Sequence, residues 1–381
     1  MILRADCRHF PGDRPCTFNK TEGVVCDDCP HYERPGMRIL VIKLDAVGDV
    51  LRTTCILPGL RERYAAPEIT WVTRSSALDL FRNNKLVDRV LAYESTEAVL
   101  RCAVEEFDFV INLDTSADSA VLASHVKGKE KLGYGLDSKG NVFPFNPEAT
   151  RWLEMGAFDR DKKANTQSYQ DLMLEICRLH PKDKRIVLNL SPDELVFADG
   201  FSRKRKLPRG RVRVGMNTGS SPRWQYKQWT MEGFRGLIRL ILRKTDWTIL
   251  LYGGPHEARR NAALRKLHAK RVIDTGTDNS LREFFSLLTL SDVFLTGDTL
   301  ALHAATALKK KVVAYFGPTS SAEIDSYGGQ ILKVHSDLDC LCCYKTRCDF
   351  DPHCMNSMTP EFMFGHLQSA VASLSAENLA R

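Results

Sequence analysis

The stretch Gly297-Asp298-Thr299-Leu300-Ala301-Leu302-His303 follows an apolar strand at 292–295 and opens a helix of small residues, Ala304-Ala305-Thr306-Ala307. A helix start gathers unpaired backbone N–H groups and the positive end of the helix dipole, which suits a phosphate. Asp and Thr before a helix are also ordinary N-caps, so the stretch gains meaning from its companions. One companion is Lys43-Leu44-Asp45-Ala46-Val47-Gly48-Asp49-Val50-Leu51, just after the first strand. Gly48 permits a tight turn there, and Asp49 offers a carboxylate that either takes a proton from a substrate hydroxyl or caps the following helix.

Two further loops carry polar chemistry. Thr218-Gly219-Ser220-Ser221-Pro222-Arg223-Trp224-Gln225-Tyr226-Lys227-Gln228-Trp229 supplies hydroxyls, backbone N–H groups and two cations at the end of a strand. These suit an anionic ligand, the alternative for Lys227 being to lie over neighbouring Trp229. Tyr252-Gly253-Gly254-Pro255-His256-Glu257 places a carboxylate on the same edge. Glu257 there either meets the paired hydroxyls of a ribose or complements a helix dipole. No Gly-x-Gly-x-x-Gly joins the first strand to its helix, and no Walker A pattern occurs, which argues against a nicotinamide dehydrogenase.

The elements that must position these residues alternate short β-branched runs with amphipathic helical patterns, the mark of parallel α/β layers. The patterns predict strands at 38–44, 69–73, 89–93 and 107–113, then at 212–217, 248–252, 272–274, 292–295 and 312–316. Helices are predicted near 50–64, 78–83, 96–105, 119–125, 166–179, 231–244, 257–269, 281–290 and 300–308, and the pattern loosens over 133–164. The 381 residues suffice for two domains. They divide into a cysteine-rich segment at 1–35 and two larger α/β units at 36–205 and 206–381, the second carrying a cysteine-rich loop at 340–354. The two larger units enclose a cleft at the carboxyl ends of their strands.

Hydrophobic content of 43% and charged content of 27% are those of a soluble globular chain. No apolar run reaches about 18 residues and no signal-peptide core is present, so a cytoplasmic location is expected. Lys plus Arg outnumber Asp plus Glu by 54 to 47, a net +7 that favours anionic partners. A polar segment at 192–211 joins the two units as a linker, and its basic run 202–211 reads as solvated, with a membrane-surface contact or an acceptor-binding edge as alternatives.

Taken together, a nucleotide sugar against the second unit and a base reaching over from the first resemble glycosyltransferase family 9, the bacterial heptosyltransferase family of GT-B, two-Rossmann architecture. The resemblance covers about 37–364. It rests on Met37-Arg38-Ile39-Leu40-Val41-Ile42-Lys43-Leu44 with its Gly48-Asp49 turn, Lys227-Gln228-Trp229, Tyr252 to Glu257, Gly297-Asp298-Thr299 with His303, and Phe316-Gly317-Pro318-Thr319, in family order. It implies Asp49 as general base and Lys227 with the backbone around Thr299 on the donor diphosphate. It further implies Glu257 near the ribose, Asp298 ordering the phosphate loop, and Thr218, Ser220 and His303 at the nucleotide. The implied reaction inverts the anomeric carbon and requires no metal. Leu300 departs from the glycine that similar members carry after the Asp-Thr pair, which bears on the identity of the donor.

Twelve cysteines are many for a reducing compartment, and grouped thiols there point to metal rather than disulfides. Cys7, Cys16, Cys26 and Cys29 suggest a structural zinc knuckle, with an iron–sulfur cluster or unliganded thiols as alternatives and His9 and His31 as substitute ligands. Cys340, Cys343, Cys348 and Cys354 resemble a cysteine-rich loop of many family 9 members and form a second group that binds its own metal or pairs with the first. Asp337, Asp339, Asp349 and Asp351 are read as loop residues, and Cys55, Cys102 and Cys177 as core thiols.

The expectation is therefore a heptose or related sugar moved from a nucleotide donor, ADP-heptose foremost, to a phosphorylated acceptor of lipopolysaccharide-core type, with peripheral contact to the inner membrane. A protein or another cell-surface glycan as acceptor is the nearest alternative. A metal-dependent nucleic-acid-binding or scaffolding protein on a degenerate enzyme fold is the reading from a different class. The lack of aromatics within the basic run and of standard zinc-finger spacing counts against it.

Overall fold

In the computed structural model, which describes residues 3–374, two six-stranded sheets carry the strands. The first comprises β1 (Arg38–Ile42), β2 (Glu68–Thr73), β3 (Arg89–Ala92), β4 (Glu106–Asn112), β5 (Lys127–Leu136) and β6 (Val142–Pro144). The second comprises β7 (Arg213–Asn217), β8 (Thr248–Tyr252), β9 (Val272–Asp274), β10 (Val293–Gly297), β11 (Lys311–Phe316) and β12 (Ile331–His335). Their orders are β3-β2-β1-β4-β5-β6 and β9-β8-β7-β10-β11-β12, so the same winding occurs twice. Every described pairing is parallel except β5 with antiparallel β6.

Why these runs form central strands follows from their composition. Residues 39–42 of β1 are wholly buried, as a parallel strand covered on both faces must be. The chain reverses its winding between β1 and β4, and again between β7 and β10, and a crevice opens outside the strand ends at each such point. The polar loops singled out above leave β1, β7, β8 and β10, so the topology delivers all of them to these two crevices.

All nine predicted strands are present, together with three that the pattern did not predict. The first half of β5, Lys127-Gly128-Lys129-Glu130-Lys131, is polar and lies against β4 near the sheet margin, so it carries no apolar signature. The two others are the short outer strands β6 and β12. The helix predicted over 50–64 breaks into Val47–Thr53 and Ile56–Arg63, with the Thr54 hydroxyl donating to the Leu51 carbonyl at 2.7 Å.

The linker expected at 192–211 is largely a helix, Pro192–Lys204, opened by a Ser191/Glu194 capping box with Pro at its first turn. Arg282 clasps Glu194 through two contacts of 2.6 and 2.7 Å, tying this helix to Leu281–Leu288 of the second unit. The rest of the basic run borders a cavity of about 1010 Å³.

One apolar cluster crosses from the first unit (Leu51, Leu57, Met173) into the second (Tyr252, Phe285, Leu302), while Trp229, Phe234 and Met363 centre another within the second alone. The cysteine-rich N-terminal segment docks through Arg8, which pairs with Glu33 at 2.6 Å and Asp88 at 3.4 Å.

Candidate active site

A cavity of about 820 Å³ lies where the two switch points face each other. Gly48, Asp49 and Arg52 line it from the first unit; Ser220, Lys227, Glu257, Asp298, Thr299, Leu300 and His303 line it from the second. The walls approach closely at the Gly48 turn, where an added Cβ would stand 3.4 Å from the His303 ring and from Leu300 Cα.

On the second wall, the helix Leu300–Ala307 begins at Thr299, whose side chain makes no cap bond to it. The Thr299 hydroxyl is instead held by the Asn217 amide and the Thr296 hydroxyl, each at 3.2 Å. The first-turn N–H groups are therefore left uncapped by that side chain and border the cavity, the condition an anion site needs. Lys227 Nζ pairs with Asp298 at 2.8 Å and lies 5.5 Å from the Trp224 ring centre. It does not cover Trp229, which is fully buried with its indole N–H donated to the Met358 carbonyl. Burial opposes the charge on Asp298, but Lys227 outweighs it, with His303 and Arg52, and holds the carboxyl well below the ordinary range. Burial, reinforced by Arg52, lowers His303 to about 4, leaving a neutral imidazole at neutral pH.

Glu257 both borders the cavity and caps its own turn, accepting from the Gly254 N–H at 2.9 Å. Its carboxyl passes so close beneath Gly219 that an added Cβ there would meet it at 2.1 Å and displace it. Thr218 does not line the cavity. Its hydroxyl turns inward to Asn261 at 2.6 Å, which makes it a framework residue rather than a ligand contact.

On the first wall, Asp49 sits in the opening turn of helix Val47–Thr53 with its side chain 37% exposed. The capping contact is present, Oδ2 accepting a long 3.4 Å bond from the Ala46 N–H. Burial disfavours its charge, yet Arg52, Lys43 and His303 together place its pKa below the usual carboxylate value. Sequence reasoning missed Arg52, Glu323 and Tyr344. Arg52 stands at i+3 from Asp49, a spacing that puts both on one helix face and was available to be read. Glu323 and Tyr344 come from loops beyond β11 and β12 and carry no local pattern.

The thiols gather in two places. Among the described residues, no group of three or more His, Cys, Asp or Glu side chains is arranged to hold an ion. The expected zinc knuckle is not assembled: Cys7, Cys16, Cys26 and Cys29 surround a largely apolar cavity of about 450 Å³, and Cys16 Sγ caps helix Thr17–Glu22. His31, named as a substitute ligand, stacks on Phe18 at 3.8 Å and pairs with Glu22 at 2.7 Å. In the second group Cys354 is pushed up to about 11 by burial and by the neighbouring Cys348, Cys343 and Cys340. Cys55, Cys102 and Cys177 are buried, as expected.

The model of glycosyltransferase family 9 (heptosyltransferase) matches residues 100–353. Lipooligosaccharide heptosyltransferase 2 of Campylobacter jejuni is 26% identical over 172 residues, 44% of this chain, and the match spans only 54% of that relative's length. Lipopolysaccharide core heptosyltransferase OpsX of Haemophilus influenzae is 22% identical over 310 residues, covering 77% of this chain and 83% of that one. Among solved structures, a family 9 glycosyltransferase of Veillonella parvula superposes with a TM-score of 0.70 at 18% identity, over 89% of this chain and 98% of that one. The ADP-heptose lipopolysaccharide heptosyltransferase II of E. coli gives 0.65 at 15% identity, over 88% and 99%. The iron-containing, dodecameric heptosyltransferase TibC of E. coli, solved with ADP-D-β-D-heptose, gives 0.55 at 12%, over 89% and 77%. These solved structures share the two-domain fold. No helix among the described residues is long and apolar enough to cross a membrane.

Proposed function

Because the chain belongs to glycosyltransferase family 9, we propose that it moves a heptose or related sugar from ADP-heptose to an acceptor of lipopolysaccharide-core type, with inversion at the anomeric carbon. The observation that carries this reading is the meeting, in one cavity, of a carboxylate from the first unit with a cation and an uncapped helix start from the second. An acceptor hydroxyl attacks the anomeric carbon, Asp49 takes its proton, and the bond from that carbon to the phosphate oxygen breaks. Lys227 and the first-turn N–H groups of helix Leu300–Ala307 receive the charge on the departing nucleoside diphosphate. Glu257 and Leu300 both border the cavity; on this reading Glu257 meets the nucleoside ribose and Leu300 bounds the space for the sugar.

The test is transfer of heptose from ADP-heptose to a heptose-deficient lipopolysaccharide core, alongside thermal shifts with ADP, GDP, UDP and CDP. Stabilisation by ADP that is lost in Lys227→Ala, with product of inverted configuration, supports the reading. Preference for another nucleotide, or a retained configuration, sinks it. Contact with the inner leaflet belongs to the same proposal, through Arg203, Lys206, Arg209 and Arg211 around the cavity at the unit junction. Salt-sensitive co-sedimentation with anionic vesicles checks it.

The second cysteine group has the donor set for a structural metal, four thiols in one neighbourhood, and a bound zinc ion or iron–sulfur centre would clamp the loop rather than enter the reaction. Metal analysis of the purified chain with and without Cys343→Ser decides this.

A further inference from the structure

The buried guanidinium of Arg52 is divided between two carboxylates that belong to different units. Nη2 reaches Asp49 Oδ1 at 2.8 Å, while Nη1 faces Glu323 Oε2 at 3.7 Å. Tyr169 lies flat beneath it, with the ring centre 3.7 Å from the guanidinium carbon. Glu323 is itself fixed twice: the Tyr344 hydroxyl donates to its Oε1 at 2.7 Å, and its carbonyl accepts from the Tyr169 N–H at 2.8 Å, across the unit boundary. Arg52, Glu323 and Tyr344 also form the shared wall between the 820 Å³ cavity and a neighbouring one of about 470 Å³ bordered by Trp152 and Lys162.

An arginine free to choose binds a carboxylate through two parallel N–H···O bonds, which would engage both oxygens of Asp49. A base so engaged has a lone pair on each oxygen taken up by the guanidinium and is a weaker acceptor for a hydroxyl proton. Here the second nitrogen is drawn toward Glu323, and Asp49 Oδ2 keeps only the long bond from Ala46. We propose that Glu323, steadied by Tyr344, is a positioning residue: it holds Arg52 to a single contact with Asp49, so that Oδ2 is presented to the acceptor when the two units close. The inference rests on the reading of Asp49 as the base.

The charged groups facing Asp49 are Lys43 just after β1, Arg52 on its own helix, Asp298 after β10 and His303 in helix Leu300–Ala307 of the second unit, and Glu323 beyond Arg52. Removing the charge of Glu323 releases Arg52 to Asp49 and takes away a neighbouring negative charge, and both changes lower the pKa of Asp49. The experiment therefore compares wild type with Glu323→Gln and Tyr344→Phe. Two readouts are taken: kcat and KM against pH, and the Asp49 carboxyl titration by 13C NMR in aspartate-labelled protein, which requires no substrate. For Glu323→Gln the expected result is a kcat lower by about 10-fold, an unchanged KM for the donor, and an acid limb and Asp49 titration moved to lower pH. Glu323→Asp restores part of the rate, and Tyr344→Phe, which removes the bond to Glu323 together with the one the hydroxyl accepts from the Ser320 N–H at 3.2 Å, shows the same changes at smaller size. An Asp49 titration identical in all variants overturns the proposal, as does a loss that falls on donor KM alone. If wild type transfers no heptose, the functional reading fails while the NMR titration still decides the role of Glu323.

Discussion

The two walls of the cavity are built on different plans. The donor wall is complete within the second unit: Lys227 is paired with Asp298, Thr299 is held by Asn217 and Thr296, and Glu257 is wedged under Gly219. The opposite wall is complete only in company, since Asp49 is set by an arginine whose other nitrogen looks to Glu323 in the second unit. On the proposed reading, a nucleotide is recognised by one unit alone, whereas the base is fully set only when both meet. The difference separates binding from chemistry.

The sharpest way to break this contrast is Asp49→Asn, expected to lower kcat by about 10³-fold while leaving ADP affinity unchanged, as a lost general base should. Loss of ADP binding in a calorimetric titration would show that the walls are not separable. Lys227→Ala should reduce kcat by about 10²-fold and also weaken ADP, because a cation on the departing phosphate acts in both ground and transition states. Gly219→Ala drives a methyl group into Glu257, and overpacking of that kind costs about 1–3 kcal/mol, to be read as a lower Tm and a raised donor KM with kcat little changed.

The smallest expected effect is an absence of change. With its pKa lowered to about 4, His303 should show no imidazole titration by 15N NMR between about pH 5 and 8, where a free histidine titrates. The sign for stability follows from the same shift. The unfolded chain takes up the histidine proton near 6.5, before the folded one does, so this group's contribution is full above 6.5 and is lost as pH falls toward 4. A His303→Gln variant should flatten that slope in urea titrations.

Much of the donor wall was legible because its chemistry sits in short unbroken motifs, each leaving the end of a strand whose apolar run announces it. Asp49 was legible for the same reason. Thr218 shows the limit: a hydroxyl at a strand end points to either side, and only packing against Asn261 turned it inward. Helix Pro192–Lys204 read as a linker because its one buried side chain, Ala198, leaves almost no apolar stripe, although the Ser191/Glu194 box was present to mark its start. Glu323 and Tyr344 were beyond reach, since their relation to Asp49 exists only across a separation of hundreds of residues. The cysteines were legible as groups, but spacing along the chain did not fix how their sulfurs would converge.

The apolar layer that passes from Leu57 and Met173 on one side to Phe285 and Leu302 on the other has a calorimetric consequence. Neither half can melt and leave its neighbour's share of that layer dry, because the survivor would face water with the surface it had buried. Heating should register as one endotherm rather than two, the whole chain behaving as a single thermodynamic unit however mobile the cleft is in turnover.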